Sequence, residues 1–217
     1  MLPFPLSLLF FGFGCFLTGF LIWRRLLDLG YSSEKIFDFL LLGGLTSALL
    51  FYWFPLNGFW FGLFLILFFF SRQAKWPYWS VLDEIVYGLL PGLFFLQIGN
   101  FFAGRLLGKP TQLPWGLYLA NDLLRRQPIA LYAALFPFFF WLFLKFIERR
   151  WRNWPWRKGR AGLIASLFLF VIPLGNFLLA FCHEVALYSL WPELFFGLAG
   201  VSLAAKEVFW SHKTSSL

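Results

Sequence analysis

The sequence predicts an all-α fold: a polytopic bundle of about seven transmembrane helices, with the N-terminus outside and the C-terminus inside. Three observations predict it. Hydrophobic residues make up 60% of the 217-residue chain and charged residues only 13%, about half the share of a soluble domain. A soluble fold must present a wet surface, and this chain has too little polar material to cover one. Apolar runs near the spanning length of about 20 residues recur from end to end. The Lys and Arg between those runs alternate in number, as cytoplasmic and outer loops do.

The expected spans cover approximately 3–23, 36–54, 56–70, 85–102, 128–147, 161–181 and 187–205. The first has no basic stretch before it, so it reads as a retained helix and not a cleaved signal. Cys15 is preceded by Gly12, Phe13 and Gly14, which is not a lipidation site, and Cys15 and Cys182 both read as small hydrophobes in apolar runs. The second and third spans are joined through Pro55. The fourth contains Pro91 among glycines, which predicts a kink or a break. Asp38, Asp83 and Glu84 stand near expected helix starts, where acids offset the helix dipole.

With the N-terminus outside, the inner connections hold fourteen of the 18 Lys and Arg, seven of them between Lys145 and Arg160. The tract from Trp151 to Trp156 with its arginines reads as an inner anchor attracted to anionic lipid. The other four cations, Arg105, Lys109, Arg125 and Arg126, fall in one outer segment. The whole chain, 1–217, reads as one integral membrane domain with this interfacial loop at about 103–127.

That loop runs against the usual sidedness of charge. It interleaves Gly104, Gly108, Pro110, Pro114 and Gly116 with Trp115 and Tyr118. Trp and Tyr favour the headgroup level, which places the loop on the membrane surface. Solvated charge is one reading of its cations; the other is an anion site, since Arg forks match phosphate oxygens. Gln97 and Asn100 lead directly into it. Amides donate to phosphate or ester oxygens, and small residues let a ligand approach the backbone. Residues 97–126 therefore read as a polar pocket opening to the outer leaflet. Asn57 and Asn176 are the remaining amides at membrane depth, the latter suited to an interhelical hydrogen bond. His183 and Glu184, at the outer end of the sixth span, read either as a helix-end pair facing water or as a source of a general base.

The stretch Gln97-Ile98-Gly99-Asn100-Phe101-Phe102-Ala103-Gly104-Arg105-Leu106-Leu107-Gly108-Lys109, followed by Pro114-Trp115-Gly116, resembles the signature of the bacterial prolipoprotein diacylglyceryl transferases. Their pattern is Arg-x-Gly-Asn-Phe-x-Asn-Gly-Glu-x-x-Gly-Arg, then Pro-Trp-Gly. Arg126-Gln127-Pro128-Ile129-Ala130-Leu131-Tyr132 resembles that family's Arg-His-Pro-x-Gln-Leu-Tyr, and Asn57-Gly58-Phe59-Trp60-Phe61-Gly62 is similar to its His-Gly-Gly-Leu-Ile-Gly. Asp83 stands where the family has an Asp opening the signature helix. The spacing matches best over about 80–135.

The resemblance implies transfer of the diacylglyceryl group of phosphatidylglycerol to a Cys thiol of a prolipoprotein, forming a thioether and releasing glycerol phosphate. The partners it implies are phosphatidylglycerol, a prolipoprotein signal peptide with its lipobox Cys, and membrane lipid. The location it implies is a bacterial inner membrane, with the protein multi-pass. No nucleic-acid partner, no cofactor and no metal site are expected. Carried onto this sequence, phospholipid binding falls to Gln97, Gly99, Asn100, Gly104, Arg105, Gly108, Arg126 and Tyr132. Asn100, Arg105, Asn57 and His183 are the catalytic candidates. Gln97 stands in place of the signature Arg, Ala103 of the second Asn, Arg105 of the Glu, Asn57 of a His and Gln127 of a His. The late Tyr, Arg and Glu of the family's sixth span meet Phe168, Ile172 and Asn176 here. Two alternatives therefore stand beside an active transferase. One is a family member that binds phospholipid or signal peptides without turnover. The other is a small transporter or structural subunit, a reading weakened by the scarcity of charges at membrane depth.

Overall fold

The computed structural model describes residues 5–53, 65–70, 72, 75–105, 108–118, 124–150, 161–182, 198 and 202. They form a bundle of helices with one small β-ribbon. The helices are α1 (Pro5–Asp28), α2 (Ser33–Trp53), α3 (Tyr78–Phe102), α4 (Ile129–Arg150) and α5 (Leu163–Ala180). A further short helical stretch covers 65–70. Between α3 and α4 lie two strands, β1 (Leu117–Tyr118) and β2 (Arg125–Arg126). Among the described residues, α1 from Leu6, α3, α4 and α5 are long and apolar enough to cross a membrane. Most of the expected third and seventh spans lies outside the described residues.

Helix α3 is the axis of the bundle. It packs most extensively on α1, then on α4, and also meets α5. It starts at Tyr78, earlier than the apolar run at 85 suggested, directly after Pro77. Its first turns carry Val81, Leu82, Ile85 and Val86 into the core beside Trp76. Pro91 does not break it: α3 runs through as one helix, as bundle neighbours allow in lipid. Many large apolar side chains of α1, α2 and α4, such as Phe16, Leu49 and Phe143, stay exposed, as lipid-facing residues do.

The α1–α3 contact is close because glycines remove side chains where the helices cross. A Cβ on Gly92 would lie 1.7 Å from Thr18 Oγ1 and 2.8 Å from the Gly14 carbonyl oxygen. One on Gly88 would lie 2.9 Å from the Ile22 nitrogen, and one on Gly99 2.7 Å from the Phe11 ring. Without a hydrophobic drive between helices in lipid, such small-residue approach supplies the packing. The order of the pairs, Phe11–Gly99, Gly14–Gly92 and Ile22–Gly88, makes α1 and α3 antiparallel.

At one end of the bundle an ionic cluster joins three helices. Arg25 of α1 pairs with Glu84 of α3 and, at 3.5 Å, with Glu148 of α4. Tyr87 donates its hydroxyl proton to Glu148 at 2.9 Å, and the Arg25 guanidinium lies 3.6 Å from the Tyr87 ring centroid. Hydropathy places Arg25 in a loop, but α1 continues through it to Asp28. Arg25→Met leaves two carboxylates facing each other, mostly buried. Breaking a buried pair costs up to about 5 kcal/mol; with a fifth to a third of each side chain exposed, the expected loss is about 1–3 kcal/mol. A thermal midpoint in detergent measures it. Arg149→Lys, at an exposed position one residue beyond Glu148, should leave that midpoint unchanged.

Candidate functional site

The opposite end of the bundle carries the amide pair and the basic segment. Gln97 and Asn100 sit one turn apart near the end of α3, and Asn100 Nδ2 donates to Gln97 Oε1 at 3.0 Å. Both are half-buried. This bond fixes one amide against the other and leaves the Gln97 NH₂ as a donor group. Gly99, between them in sequence, is buried against the Phe11 ring of α1.

Helix α3 ends in a left-handed turn. Ala103 is the C-cap, and Gly104 follows with φ +69°. The Gly104 N–H donates to Phe101 O at 3.0 Å, and the Arg105 N–H to Asn100 O at 2.9 Å. These are the two bonds of a Schellman motif, which takes glycine at its left-handed position. The signature glycine at 104 thus has a local cause. The turn presents Arg105 on the exposed surface, its guanidinium 5.9 Å from the Phe11 ring centroid.

The expected surface loop is an ordered ribbon over its described residues. Leu117 pairs with Arg126 and Tyr118 with Arg125, antiparallel. On the other side of β2, Pro110 pairs with Arg126. Gly108 N–H donates to Gln127 O, Gln127 N–H to Lys109 O, and Thr111 N–H to Arg125 O. β2 therefore lies between residues 108–111 and β1. Gly108 is buried at this crossing, and a Cβ there would lie 2.6 Å from the Gln127 carbonyl oxygen. Arg126 is half-buried and donates through its guanidinium to Gly108 O at 3.2 Å. Tyr132 follows in the first turns of α4, half-buried, beyond buried Pro128.

The ribbon is tied to the end of α5. The Lys109 N–H donates to Cys182 O at 3.0 Å, and its ammonium to Phe181 O at 3.1 Å. A cation at a helix C-terminus complements the dipole. This clamp was not visible in the sequence, where Lys109 was one cation among four. Gln127 Oε1 is buried without a hydrogen-bond partner among the described residues.

The structure thus gathers Gln97, Gly99, Asn100, Gly104 and Arg105 at the end of α3, beside Phe11. It gathers Gly108, Arg126 and Gln127 in the ribbon that follows. Asn57 and His183 lie outside the described residues. Asn176, on α5, is exposed. Asp83 has a role that sequence did not indicate. It lies on α3 and not at its first turn, and its carboxylate accepts the N–H groups of Gly162 at 2.7 Å and Ala165 at 2.8 Å, at the start of α5. The dipole it offsets belongs to another helix.

The profile of the prolipoprotein diacylglyceryl transferases matches residues 9–198. Relatives named phosphatidylglycerol–prolipoprotein diacylglyceryl transferase align over shorter stretches. The one from Aliarcobacter butzleri is 34% identical over 95 residues, 43% of this chain and 34% of the relative. The one from Chloroherpeton thalassium is 32% identical over 122 residues, 55% of this chain and 44% of the relative. That of Polynucleobacter necessarius is 29% identical over 150 residues, 66% of this chain and 50% of the relative. The chain spans between a third and a half of the length of these relatives. The family profile covers most of the chain, and four described helices are long and apolar enough to cross a membrane: the chain belongs to the prolipoprotein diacylglyceryl transferase family.

Proposed function

We propose that this protein transfers the diacylglyceryl group of phosphatidylglycerol to the lipobox Cys of a prolipoprotein, at the outer face of a bacterial inner membrane. In this reading the chain is one domain of seven spans, N-terminus out and C-terminus in, and the ribbon end faces outward. The observation that carries it is the signature turn. Gly104 closes α3, the Arg105 N–H bonds the Asn100 carbonyl, Asn100 bonds Gln97, and Gly108 and Arg126 meet in the ribbon.

The chemistry asks for two things. The substrate thiol attacks the diacylglycerol carbon that bears the phosphate, the bond from that carbon to the phosphate oxygen breaks, and glycerol phosphate leaves with the bonding pair. Cations must hold the phosphate as charge grows on that oxygen, and a base must take the thiol proton. Arg105 and Arg126 supply charge and donors, Gln97 and Asn100 supply amide donors, and Tyr132 and Asn57 line the pocket. His183 is the candidate base. The nucleophile belongs to the substrate, so Cys15 and Cys182 need not be reactive.

A second reading is a family member that binds phospholipid or signal peptides without turnover. Glutamines at 97 and 127, where the family has Arg and His, favour it. One assay separates the two. Purified protein is given phosphatidylglycerol and a lipobox peptide, with an established transferase in parallel, and mass spectrometry seeks the thioether. Product above background is the expected result; none, with the parallel enzyme active, rejects the transferase. Binding is tested apart from turnover. Arg105→Ala and Arg126→Ala should each weaken phosphatidylglycerol binding about tenfold, the scale of a charge-assisted hydrogen bond, and Arg149→Ala should not. Equal effects from all three would remove the lipid site from this end of the bundle. Arg126→Lys keeps the charge without the fork and should recover binding only in part.

A further inference from the structure

The ribbon has two faces, and only one serves the candidate site. Neighbouring residues in a strand point to opposite sides. Arg126 turns inward onto the Gly108 carbonyl. Arg125 turns the other way and stands over Tyr118, its cross-strand partner, with 5.1 Å from guanidinium carbon to ring centroid. Tyr118 is 64% exposed and Trp115 is 56% exposed. Leu113 and Leu124 are exposed near them. Trp115 is held by a tight turn, closed by Gly116 N–H to Leu113 O at 3.0 Å and braced by Leu113 N–H to Thr111 Oγ1 at 3.2 Å. An exposed set of this kind, with two aromatics on ordered backbone, is not the usual surface of a soluble loop.

Position and charge say what meets it. Lys109 ties the ribbon to the Phe181 and Cys182 carbonyls, where α5 ends. The ribbon therefore sits at the level where an apolar helix leaves the bilayer. Residues 103–127 include four cations, Arg105, Lys109, Arg125 and Arg126, against one acid, Asp122. Trp and Tyr settle at headgroup depth, and Lys or Arg there is drawn to anionic lipid. We propose that the exposed end of the ribbon, Tyr118 and Arg125 with the neighbouring exposed Leu113, Trp115 and Leu124, docks into the headgroup layer of the adjoining leaflet and grips anionic phospholipid through Arg125. Docking would hold the ribbon down on the lipid surface, with Arg126 facing the bundle. Such docking requires only the membrane bundle and not the transferase activity.

The test uses the full chain reconstituted in bilayers. Cys15 and Cys182 are replaced by Ser, and a nitroxide is placed at Trp115→Cys or Tyr118→Cys. Glu34→Cys, exposed at the first turn of α2, is the aqueous reference. Collision with oxygen and with a water-soluble nickel chelate reports depth. In bilayers containing phosphatidylglycerol, labels at 115 and 118 should be at least severalfold less accessible to nickel than at 34, and more accessible to oxygen. Arg125→Gln, or lipid of phosphatidylcholine alone, should raise nickel access at 118 about fivefold, the loss of one cation–headgroup attraction. Nickel access at 115 and 118 equal to that at 34 overturns docking. Unchanged depth with Arg125→Gln and in phosphatidylcholine overturns the grip on anionic lipid. Labels shielded from both reagents would mean a protein contact and would overturn the lipid partner. None of these outcomes depends on whether thioether product forms.

Discussion

Gly92→Leu should prevent α1 and α3 from docking. Even the first carbon of a new side chain would stand 1.7 Å from Thr18 Oγ1 and 2.8 Å from the Gly14 carbonyl oxygen. The first contact can be relieved, because a threonine hydroxyl can rotate. The second cannot, because it is backbone inside a helix. The helices must separate, and every contact along the seam from Phe11–Gly99 to Ile22–Gly88 is stretched with them. Overpacking in a tight interior costs about 1–3 kcal/mol and at times more, and a leucine here belongs at the high end. Detergent-solubilised protein should be aggregated by size-exclusion chromatography or melt at a much lower temperature. Gly92→Ala gives the graded version. Adding Thr18→Ala to it should recover only part of the loss, because the Gly14 carbonyl still blocks the Cβ. Full recovery would mean that the side chain, and not the backbone approach, limits this crossing. Gly12→Ala and Gly19→Ala, with open space at the Cβ, should be neutral or mildly stabilising through helix propensity.

The same glycines show what a sequence can reveal about this fold. Apolar runs predict the helices, since lipid demands about 20 residues each. The turn that ends α3 at Gly104 is readable because its logic is local, with bonds that span no more than five residues. Long-range pairings were not readable. Tyr78 as the start of α3 escaped hydropathy, because Trp76, Tyr78, Trp79, Asp83 and Glu84 dilute an otherwise buried stretch. Hydropathy counts Arg25 as a loop charge, because its partners Glu84 and Glu148 lie 59 and 123 residues away. The ribbon was hidden by its own composition. Gly, Pro and Arg carry little strand propensity, and the pairing of 108–111 with 125–127 rests on backbone groups that any sequence has. Asn57 and His183, outside the described residues, remain candidates from sequence alone.

Asp83 carries the other large effect, because its carboxylate is the cap of a helix it does not belong to. Helix α5 begins after Gly162, with φ +97°, and its N-cap residue makes no side-chain bond of its own. Four N–H groups at a helix start need partners. Asp83 takes those of Gly162 and Ala165, at 2.7 and 2.8 Å, in a buried setting. Asp83→Ala leaves both donors buried and unpaired, at about 1–3 kcal/mol each, less whatever water enters the gap. A net loss of about 2–4 kcal/mol is expected, seen as a lower thermal midpoint. Asp83→Asn keeps one carbonyl acceptor but turns an NH₂ toward a donor, so it should recover about half. The location of the damage distinguishes capping from a general packing role. Amide hydrogen exchange should rise at 162–166, the first turn of α5, while the α1–α3 seam stays protected. Uniform exchange across the bundle, or an unchanged midpoint, would reject Asp83 as the cap. Because α5 ends at the Phe181 and Cys182 carbonyls that Lys109 holds, a frayed α5 should also loosen the ribbon. Weaker phosphatidylglycerol binding in Asp83→Ala, with Arg105 and Arg126 intact, is the expected consequence at the far end of the helix.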